Sequence, residues 1–449
     1  MKKFISKDLI DLAKIFEKYA PLYVVGGFVR DAIAFKVPSK DIDLASSLSP
    51  DEVKTILSGT SFKVFDASPR LGTLIIKGVS SYEYTAFRTD SYPQGKGDHS
   101  PMKVVFTKDI TQDALRRDFK CNAIYYDIVQ DKIVDPLNGV QDIEKKKLET
   151  VQDAEVVLSQ DGLRIMRLVR MVSTLGYEIE EKTYIAANKL VKRLEDISIE
   201  RIQVELTKTL QGDNVYKACC YMRDLGILDI IIPELAQAKG ILQNPLYHKY
   251  DVLEHTFKTV EAAPKEIRLA ALFHDIAKAS CLKRDGNMYM HAIEGTKMTR
   301  EILSRLRYSN EIIQKTATLV EAHMIDLSKN TKVNKLRAYI LNYYPYIEDI
   351  VKLQKADAIG TGMVKEEDIV NRLEEQYVIM KENKLPFCLK DLKINGKDLL
   401  NIGYQGKQIQ IMLEEILYQC AIEKIKNSYD DLMIYAQKRW RKIYGNSNT

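Results

Sequence analysis

The distribution of apolar residues changes character once along this chain, near residue 150, and that change constrains the fold more than any other feature. Before it, short apolar runs at 22–25, 42–45, 73–77, 83–87 and 103–106 are punctuated by Gly, Pro and Ser. Runs of that length between turn residues predict strands. A helix is predicted at 28–35, closed by Val37-Pro38. Residues 88–102 hold Pro93, Gly95, Gly97 and Pro101, which predicts a long loop. From about 153 onward apolar residues recur at helical spacing, as at 163–175, 202–210 and 267–277, and glycine and proline retreat to helix ends. The expected fold class is α+β and multidomain, a mixed α/β head followed by an all-helical remainder. At 449 residues the chain exceeds what one core accommodates, so several domains are expected.

Composition excludes several classes. Charged residues at 29% and hydrophobic residues at 45% match an ordinary soluble globular protein. The net charge of +5 permits a polyanionic partner without demanding one. Cys121, Cys219, Cys220, Cys281, Cys388 and Cys420 form no C-x-x-C pair, which argues for reduced thiols and against a cysteine zinc site. No stretch approaches the ~20 apolar residues of a membrane span. Charges at Lys2, Lys3, Lys7, Asp8 and Asp11 interrupt any signal-peptide core. A cytoplasmic location is expected.

Two carboxylates carry the first chemical signal. Asp41 and Asp43 in Lys40-Asp41-Ile42-Asp43-Leu44 are two apart, and on a strand such residues project to one side while Ile42 and Leu44 face the core. Neighbouring carboxylates call for a cation, and a hard divalent ion such as Mg²⁺, shared with substrate phosphates, answers that need. Asp-x-Asp alone is also common on plain surface turns. Upstream, Gly26-Gly27 joins a strand to a helix, where a triphosphate can approach backbone amides. An ordinary strand–helix turn with an Arg30–Asp31 ion pair fits those residues too.

Together these segments resemble a known family. Gly26-Gly27-Phe28-Val29-Arg30-Asp31 followed by Asp41-Ile42-Asp43 is similar to the opening motif of class II CCA-adding enzymes and bacterial poly(A) polymerases, members of the polymerase-β nucleotidyltransferase superfamily. Arg116-Arg117-Asp118-Phe119-Lys120-Cys121-Asn122-Ala123 resembles the family's second motif. The resemblance implies that Asp41 and Asp43 are catalytic and hold two Mg²⁺ ions. It implies nucleotide contacts from Gly26, Gly27, Arg30, Arg116, Arg117, Asp118 and Asn122, with guanidinium groups on phosphate oxygens. A third carboxylate is usual near the metals, and Glu83 is the candidate.

Ser159-Gln160-Asp161-Gly162-Leu163-Arg164 resembles the family's base-selecting motif, and Arg167 and Arg170 follow on the same helix as implied nucleotide contacts. Asp161 and Arg164, three apart, would share a helix face. A carboxylate accepts from an exocyclic amine and a guanidinium donates to a ring acceptor, the pattern of cytosine and adenine but not of uracil or guanine. Gln160 stands where the family has glutamate, which removes a charge that orients the arginine. Gly162 lowers helix propensity by ~1 kcal/mol relative to alanine. Glu200-Arg201-Ile202-Gln203-Val204-Glu205-Leu206 resembles a further family segment with a supporting role.

Five of the six histidines fall between residues 248 and 323. His255 with His274-Asp275 resembles the HD phosphohydrolase superfamily. The resemblance implies a second divalent metal held by His255, His274, Asp275 and Asp357, with Asp326 the second choice for the last position. Imidazole and carboxylate suit Mn²⁺, Ni²⁺ or Zn²⁺. Core histidines satisfying local polar contacts are the plain alternative. Near the end, Lys438-Arg439-Trp440-Arg441-Lys442 suits an RNA backbone by charge and stacking, or a basic helix capping the body.

The implied organisation is a nucleotidyltransferase head at 1–150, a neck at 151–240, an HD-like body at 241–360 and an RNA-binding tail at 361–449. The implied activity is that of a CCA tRNA nucleotidyltransferase, which adds C, C and A to the tRNA 3′ end from CTP and ATP and releases pyrophosphate. Addition of A or CC alone, poly(A) synthesis and HD-type phosphohydrolysis are the alternatives. CC-adding members lack the loop expected at 88–102, so its presence implies A addition. The tRNA 3′ end, CTP and ATP are the expected partners; DNA and membranes are not, and the assembly is a monomer or homodimer.

Overall fold

The computed structural model describes residues 1–92, 102–325, 330–365 and 369–444. The chain divides into two compact units, Met1–Pro233 and Glu234–Thr449. The first contains a seven-stranded mixed sheet built from β1 (Tyr23–Val25), β2 (Asp43–Ser46), β3 (Lys63–Ser68), β4 (Thr73–Lys77), β5 (Ser81–Ala86), β8 (Tyr125–Asp127) and β9 (Lys132–Val134), in the order β3-β4-β5-β2-β1-β8-β9. β6 (Arg88–Ser91) and β7 (Lys103–Phe106) form a separate antiparallel pair. β1 runs antiparallel to β2 with Val25 opposite Asp43, and β2 runs parallel to β5 with Asp43 opposite Glu83. Alternation then fixes which side chains enter the core: Leu44 and Tyr84 are buried, whereas Asp43 and Glu83 are exposed.

The expected strands at 22–25, 42–45, 73–77, 83–87 and 103–106 all have counterparts. Two expectations about position change. Asp41 precedes β2 rather than lying on it, so the two aspartates sit at a strand entrance and not in alternation along a strand. Within the loop expected over 88–102, Arg88–Ser91 is a strand that pairs with Lys103–Phe106; residues 93–101 lie outside the described residues. Arg88 anchors this stem, its Nε donating to Asp90 Oδ1 at 2.9 Å. β3, β8 and β9 went unforeseen, since Lys63–Ser68 and Lys132–Val134 are polar edge segments with little apolar alternation.

After Asp153 caps Ala154–Gln160 by accepting from the Val156 amide, the unit is helical apart from the short strand Glu178–Ile179, which pairs with Lys147–Leu148. Helix Leu163–Leu175 is its centre, with Ile165, Met166, Leu168, Val169, Met171 and Val172 buried. It packs against Ile199–Leu210 and Val215–Asp224, and it ends on Gly176 in the left-handed conformation. A buried aliphatic side chain of this kind contributes roughly 1.5–3 kcal/mol. Gly162, which precedes this helix, has a packing reason. A Cβ there would lie 2.7 Å from the Arg193 carbonyl oxygen.

In the second unit the helix expected over 267–277 stops early. Arg268–Phe273 is helical, His274–Ala277 turns, and Lys278–Asp285 starts a new helix. The basic C-terminal helix Tyr429–Tyr444 keeps Lys438 and Arg441 exposed but commits Trp440 inward. The indole meets Tyr404 edge-on at 4.8 Å, and Arg439 pairs with Glu415. Trp440, partly buried, packs against the local core, as the alternative of a helix capping the body expected.

Replacing Gly162 with Ala tests the packing argument. Because Gly162 stands before the helix, no gain in helix propensity offsets the clash, and overpacking is expected to cost about 1–3 kcal/mol. Denaturant titration measures the change, and a stabilised G162A would refute the tight contact.

Candidate functional site

Gly26 initiates the site geometry. Its φ of +83° and ψ of −139° place it where side chains are rarely tolerated, and a Cβ there would stand 3.5 Å from Asp43 Oδ2. Helix Gly27–Ala34 starts immediately after. A Cβ at Gly27 would meet only ordinary contacts with Arg30 and Ser39 at 3.6 and 3.7 Å, so the glycine keeps a space clear beside the helix start.

Three carboxylates gather beside that start. Desolvation raises the Asp43 carboxyl above its ordinary value; Arg117 opposes this, Asp41 adds to it, and Arg167 opposes it. Glu83, across from Asp43 in register, is also raised, by desolvation and then by the Asp43 charge. Carboxyl groups that destabilise one another's charge this way are suited to sharing a cation. Asp43 thus bears the charge of Asp41 and acts on Glu83, but the three do not bring their oxygens within 4.8 Å of one another as the two groups in the second unit do.

The arginines around them are held by buried carboxylates. Asp113, fully buried, accepts from Arg116 Nε at 2.7 Å, from Arg117 Nη2 at 3.1 Å and from the Tyr125 hydroxyl at 2.6 Å. Burial alone would raise this carboxyl, but Arg117 and Arg116 hold it below the usual range. Asp113 is a positioning residue that sequence reading missed, although its place three and four residues before the arginine pair was a visible signal. Asp118 accepts from Arg167 Nε at 2.8 Å and from Asn122 Nδ2 at 3.2 Å, and Asn122 Oδ1 accepts from Arg30 Nη1 at 2.6 Å. Against the effect of burial, Arg167 holds Asp118 well below the usual carboxylate range. A continuous relay therefore runs Arg30–Asn122–Asp118–Arg167, from the first helix to the neck helix.

The base-selecting pair is arranged differently from expectation. Asp161 does not share a helix face with Arg164, because it is the extended residue between helices Ala154–Gln160 and Leu163–Leu175. Its Oδ1 accepts from the Leu163 amide at 3.0 Å and its Oδ2 from Arg201 Nη2 at 2.7 Å. Arg164 is fixed by the Val157 carbonyl at 3.0 Å, Gln160 Oε1 at 2.9 Å and the Arg116 carbonyl at 2.8 Å. Gln160 thus orients the arginine without a charge, by a neutral hydrogen bond. Arg170 pairs with Glu205, and Arg201 and Glu205 give the 200–206 segment its supporting role.

In the second unit six side chains converge. His255 lies on Val252–Ala262, His274 and Asp275 follow Arg268–Phe273, His291 begins His291–Arg305, His323 follows Asn310–Ala322, and Asp357 lies on Ile347–Gly360. His255, His274 and Asp357 bring ligand atoms within 4.8 Å of one another, as do Asp275, His291 and His323. All four expected ligands are therefore present together, and Asp326 lies outside the described residues. Asp275 Oδ2 lies 3.3 Å from His255 Nε2 and 3.1 Å from His274 Nε2, while its Oδ1 faces His291 and His323. Burial lowers His291 and pushes His323 down to about 3.

Asp113→Asn is expected to cost about 3 kcal/mol, the scale for removing one partner of a buried ion network, and to raise KM for nucleotide. The Asp113 pKa is depressed in the folded state. Its stabilisation is therefore complete above the unfolded value near ~3.9 and is lost as pH falls through the lower native value. Urea unfolding should show the wild-type advantage at neutral pH and its decay only in acid.

Comparison with known proteins agrees with this arrangement. Residues 22–149 match the family model described as Poly A polymerase head domain, and residues 176–239 match that for the RNA and SrmB-binding site of polymerase A. Residues 288–436 match a tRNA nucleotidyltransferase domain 2 model. The CCA-adding enzyme of Ligilactobacillus salivarius is 30% identical over 437 residues, 96% of each chain. That of Oceanobacillus iheyensis is 29% identical over 412 residues, 90% of each. The fold resembles the crystal structure of the Bacillus stearothermophilus CCA-adding enzyme in complex with CTP, with a TM-score of 0.71, 22% identity and 98% of each chain covered. The Thermotoga maritima CCA-adding enzyme complexed with tRNA gives a TM-score of 0.59 at 19% identity, covering 96% of this chain and 94% of that one. No helix among the described residues is long and apolar enough to cross a membrane. With likeness over nearly its whole length, the chain belongs to the CCA-adding enzymes, which are metal-dependent nucleotidyltransferases.

Proposed function

We propose that the protein adds C, C and A to the 3′ end of tRNA, taking CTP and ATP in turn and using Mg²⁺ at Asp41 and Asp43, with Glu83 as the third carboxylate. The observation that carries this reading is the register of Asp43 with Glu83 beside Gly26 and the start of helix Gly27–Ala34. Divalent ions bound there would activate the 3′-hydroxyl and neutralise the departing pyrophosphate. Gly26 and Gly27 leave room for the triphosphate at a helix start. Arg116 and Arg117, aimed by Asp113, meet its oxygens, while Arg30, Asn122, Asp118 and Arg167 position the ribose end through their relay. Asp161 and Arg164 read the base edge, and Arg170 holds the neck through Glu205. On this reading residues 1–150 are the catalytic head, 151–240 the neck, 241–360 an HD-like body and 361–449 a tail that contacts RNA.

The test is incubation with tRNA transcripts lacking CCA, ending in CC or complete, with each nucleoside triphosphate alone and in combination, followed by sequencing of the 3′ ends. Complete CCA is expected from CTP plus ATP. A long adenylate tail, or a halt after CC or before any C, would identify one of the partial activities instead. Arg164→Ala is expected to reduce the preference for C over U by about 10–100-fold, the value of a charged hydrogen bond left unmade, while Asp43→Ala abolishes addition.

A second reading concerns the histidine cluster, which the nucleotidyl transfer does not use. Its donor set favours a divalent metal and HD-type phosphohydrolysis in the second unit. Wild type is expected to release phosphate or open the ring of 2′-AMP or a 2′,3′-cyclic phosphate in the presence of Mn²⁺ or Ni²⁺, and His274→Ala to remove that activity. Hydrolysis unchanged in H274A would dismiss it.

A further inference from the structure

Gln160 stands where the family carries glutamate, and its surroundings give that difference a chemical consequence. Arg116, Arg117, Arg167, Arg170 and Arg201 each pair with a carboxylate. Arg164 does not. Among the described residues its acceptors are all uncharged. Nη1 donates to the Val157 carbonyl at 3.0 Å and to Gln160 Oε1 at 2.9 Å. Nη2 donates to the Arg116 carbonyl at 2.8 Å and lies 3.5 Å from the Tyr92 hydroxyl. A guanidinium bonds a neutral amide roughly half as strongly as a carboxylate. Gln160 is therefore a weaker hold than glutamate, and the two backbone carbonyls keep Arg164 in place when the amide turns away.

An amide also differs from a carboxylate in kind. An ionised glutamate only accepts, whereas glutamine carries an acceptor oxygen and an N–H₂ donor side by side in one plane. The oxygen of Gln160 serves Arg164, while its nitrogen donates to no group among the described residues. The side chain is half-buried, next to Asp161 in sequence and in contact with Arg164, so it lies beside both proposed readers of the base.

The base edges decide what such a group recognises. Cytosine and adenine show an amine beside a ring acceptor, which a carboxylate and a guanidinium match. Uracil and guanine show a carbonyl beside a ring N–H. Both proposed readers oppose that pattern, Asp161 setting oxygen against oxygen and Arg164 setting donor against donor. A primary amide matches it, since its N–H₂ donates to the base carbonyl and its oxygen accepts from the ring N–H. Amide side chains pair with base edges in this two-bonded way. We infer that Gln160 is a third base-reading residue, through which the site admits the keto bases of UTP and GTP beside CTP and ATP.

The inference rests on the CCA-adding reading, and one assay separates the two. Full-length protein is given a tRNA transcript lacking CCA with CTP and UTP in equal amounts, or a transcript ending in CC with ATP and GTP. The added nucleotides are then sequenced. Wild type is compared with Gln160→Glu and with Gln160→Met, which keeps the bulk but loses both hydrogen-bonding groups; circular dichroism checks that each is folded. Wild type is expected to insert U and G about tenfold more often than Q160E, the value of one hydrogen bond. Q160M is expected to reject them as Q160E does. A residue that merely steadied Arg164 would give the opposite for Q160M, with more U and G than wild type, and that result overturns the base contact. Gln160→Leu supplies the same comparison if Q160M does not fold. Equal insertion by wild type and Q160E also overturns it, while leaving CCA addition standing. No addition of C or A by wild type overturns both.

Discussion

A protein that handles polyphosphate must hold guanidinium groups close together without letting them collapse onto its own metal-binding carboxylates. Here the arginines are given anionic partners of their own, apart from those carboxylates. Asp113 takes Arg116 and Arg117, Asp118 takes Arg167, Glu205 takes Arg170 and Asp161 takes Arg201. Asp43 still bears the charge of Asp41 beside it, the condition a divalent cation relieves. Buried pairs of this kind add little net stability, since desolvation offsets much of their attraction. Their value lies in fixed geometry.

That geometry ties the sheet to the neck within the first unit. The relay from Arg30 through Asn122 and Asp118 to Arg167 crosses from the helix after β1 to helix Leu163–Leu175. Gln160 belongs to the same logic. A neutral amide reaches Arg164 as well as a carboxylate would, and leaves the guanidinium charge less compensated.

Much of this was legible in the sequence, for definite reasons. Gly26-Gly27 and Asp41/Asp43 could be placed because a strand-to-helix turn leaves little conformational choice, and Glu83 lay on a strand whose alternation was plain. The histidines were found because five within a short span of helical sequence is unusual. Asp113 was overlooked although its spacing from Arg116 and Arg117 was visible, since only its burial shows that the pairs are structural anchors. Asp161 was misplaced on a helix because a spacing of three mimics helical proximity, and the break at Gly162 comes from the backbone of Arg193, distant in sequence. For Trp440 the sequence left RNA contact and helix capping open, because its packing partner Tyr404 lies 36 residues earlier.

The bond from Arg164 to the carbonyl of Arg116 has a wider meaning. The side chain proposed to sense the base holds the peptide group of a residue proposed to grip the phosphates. A mismatched base that pulls the guanidinium aside would also disturb the grip on the leaving group, so error would slow the chemistry as well as weaken binding. Fidelity would then be enforced mechanically, by one hydrogen bond that makes recognition and reactivity the same event.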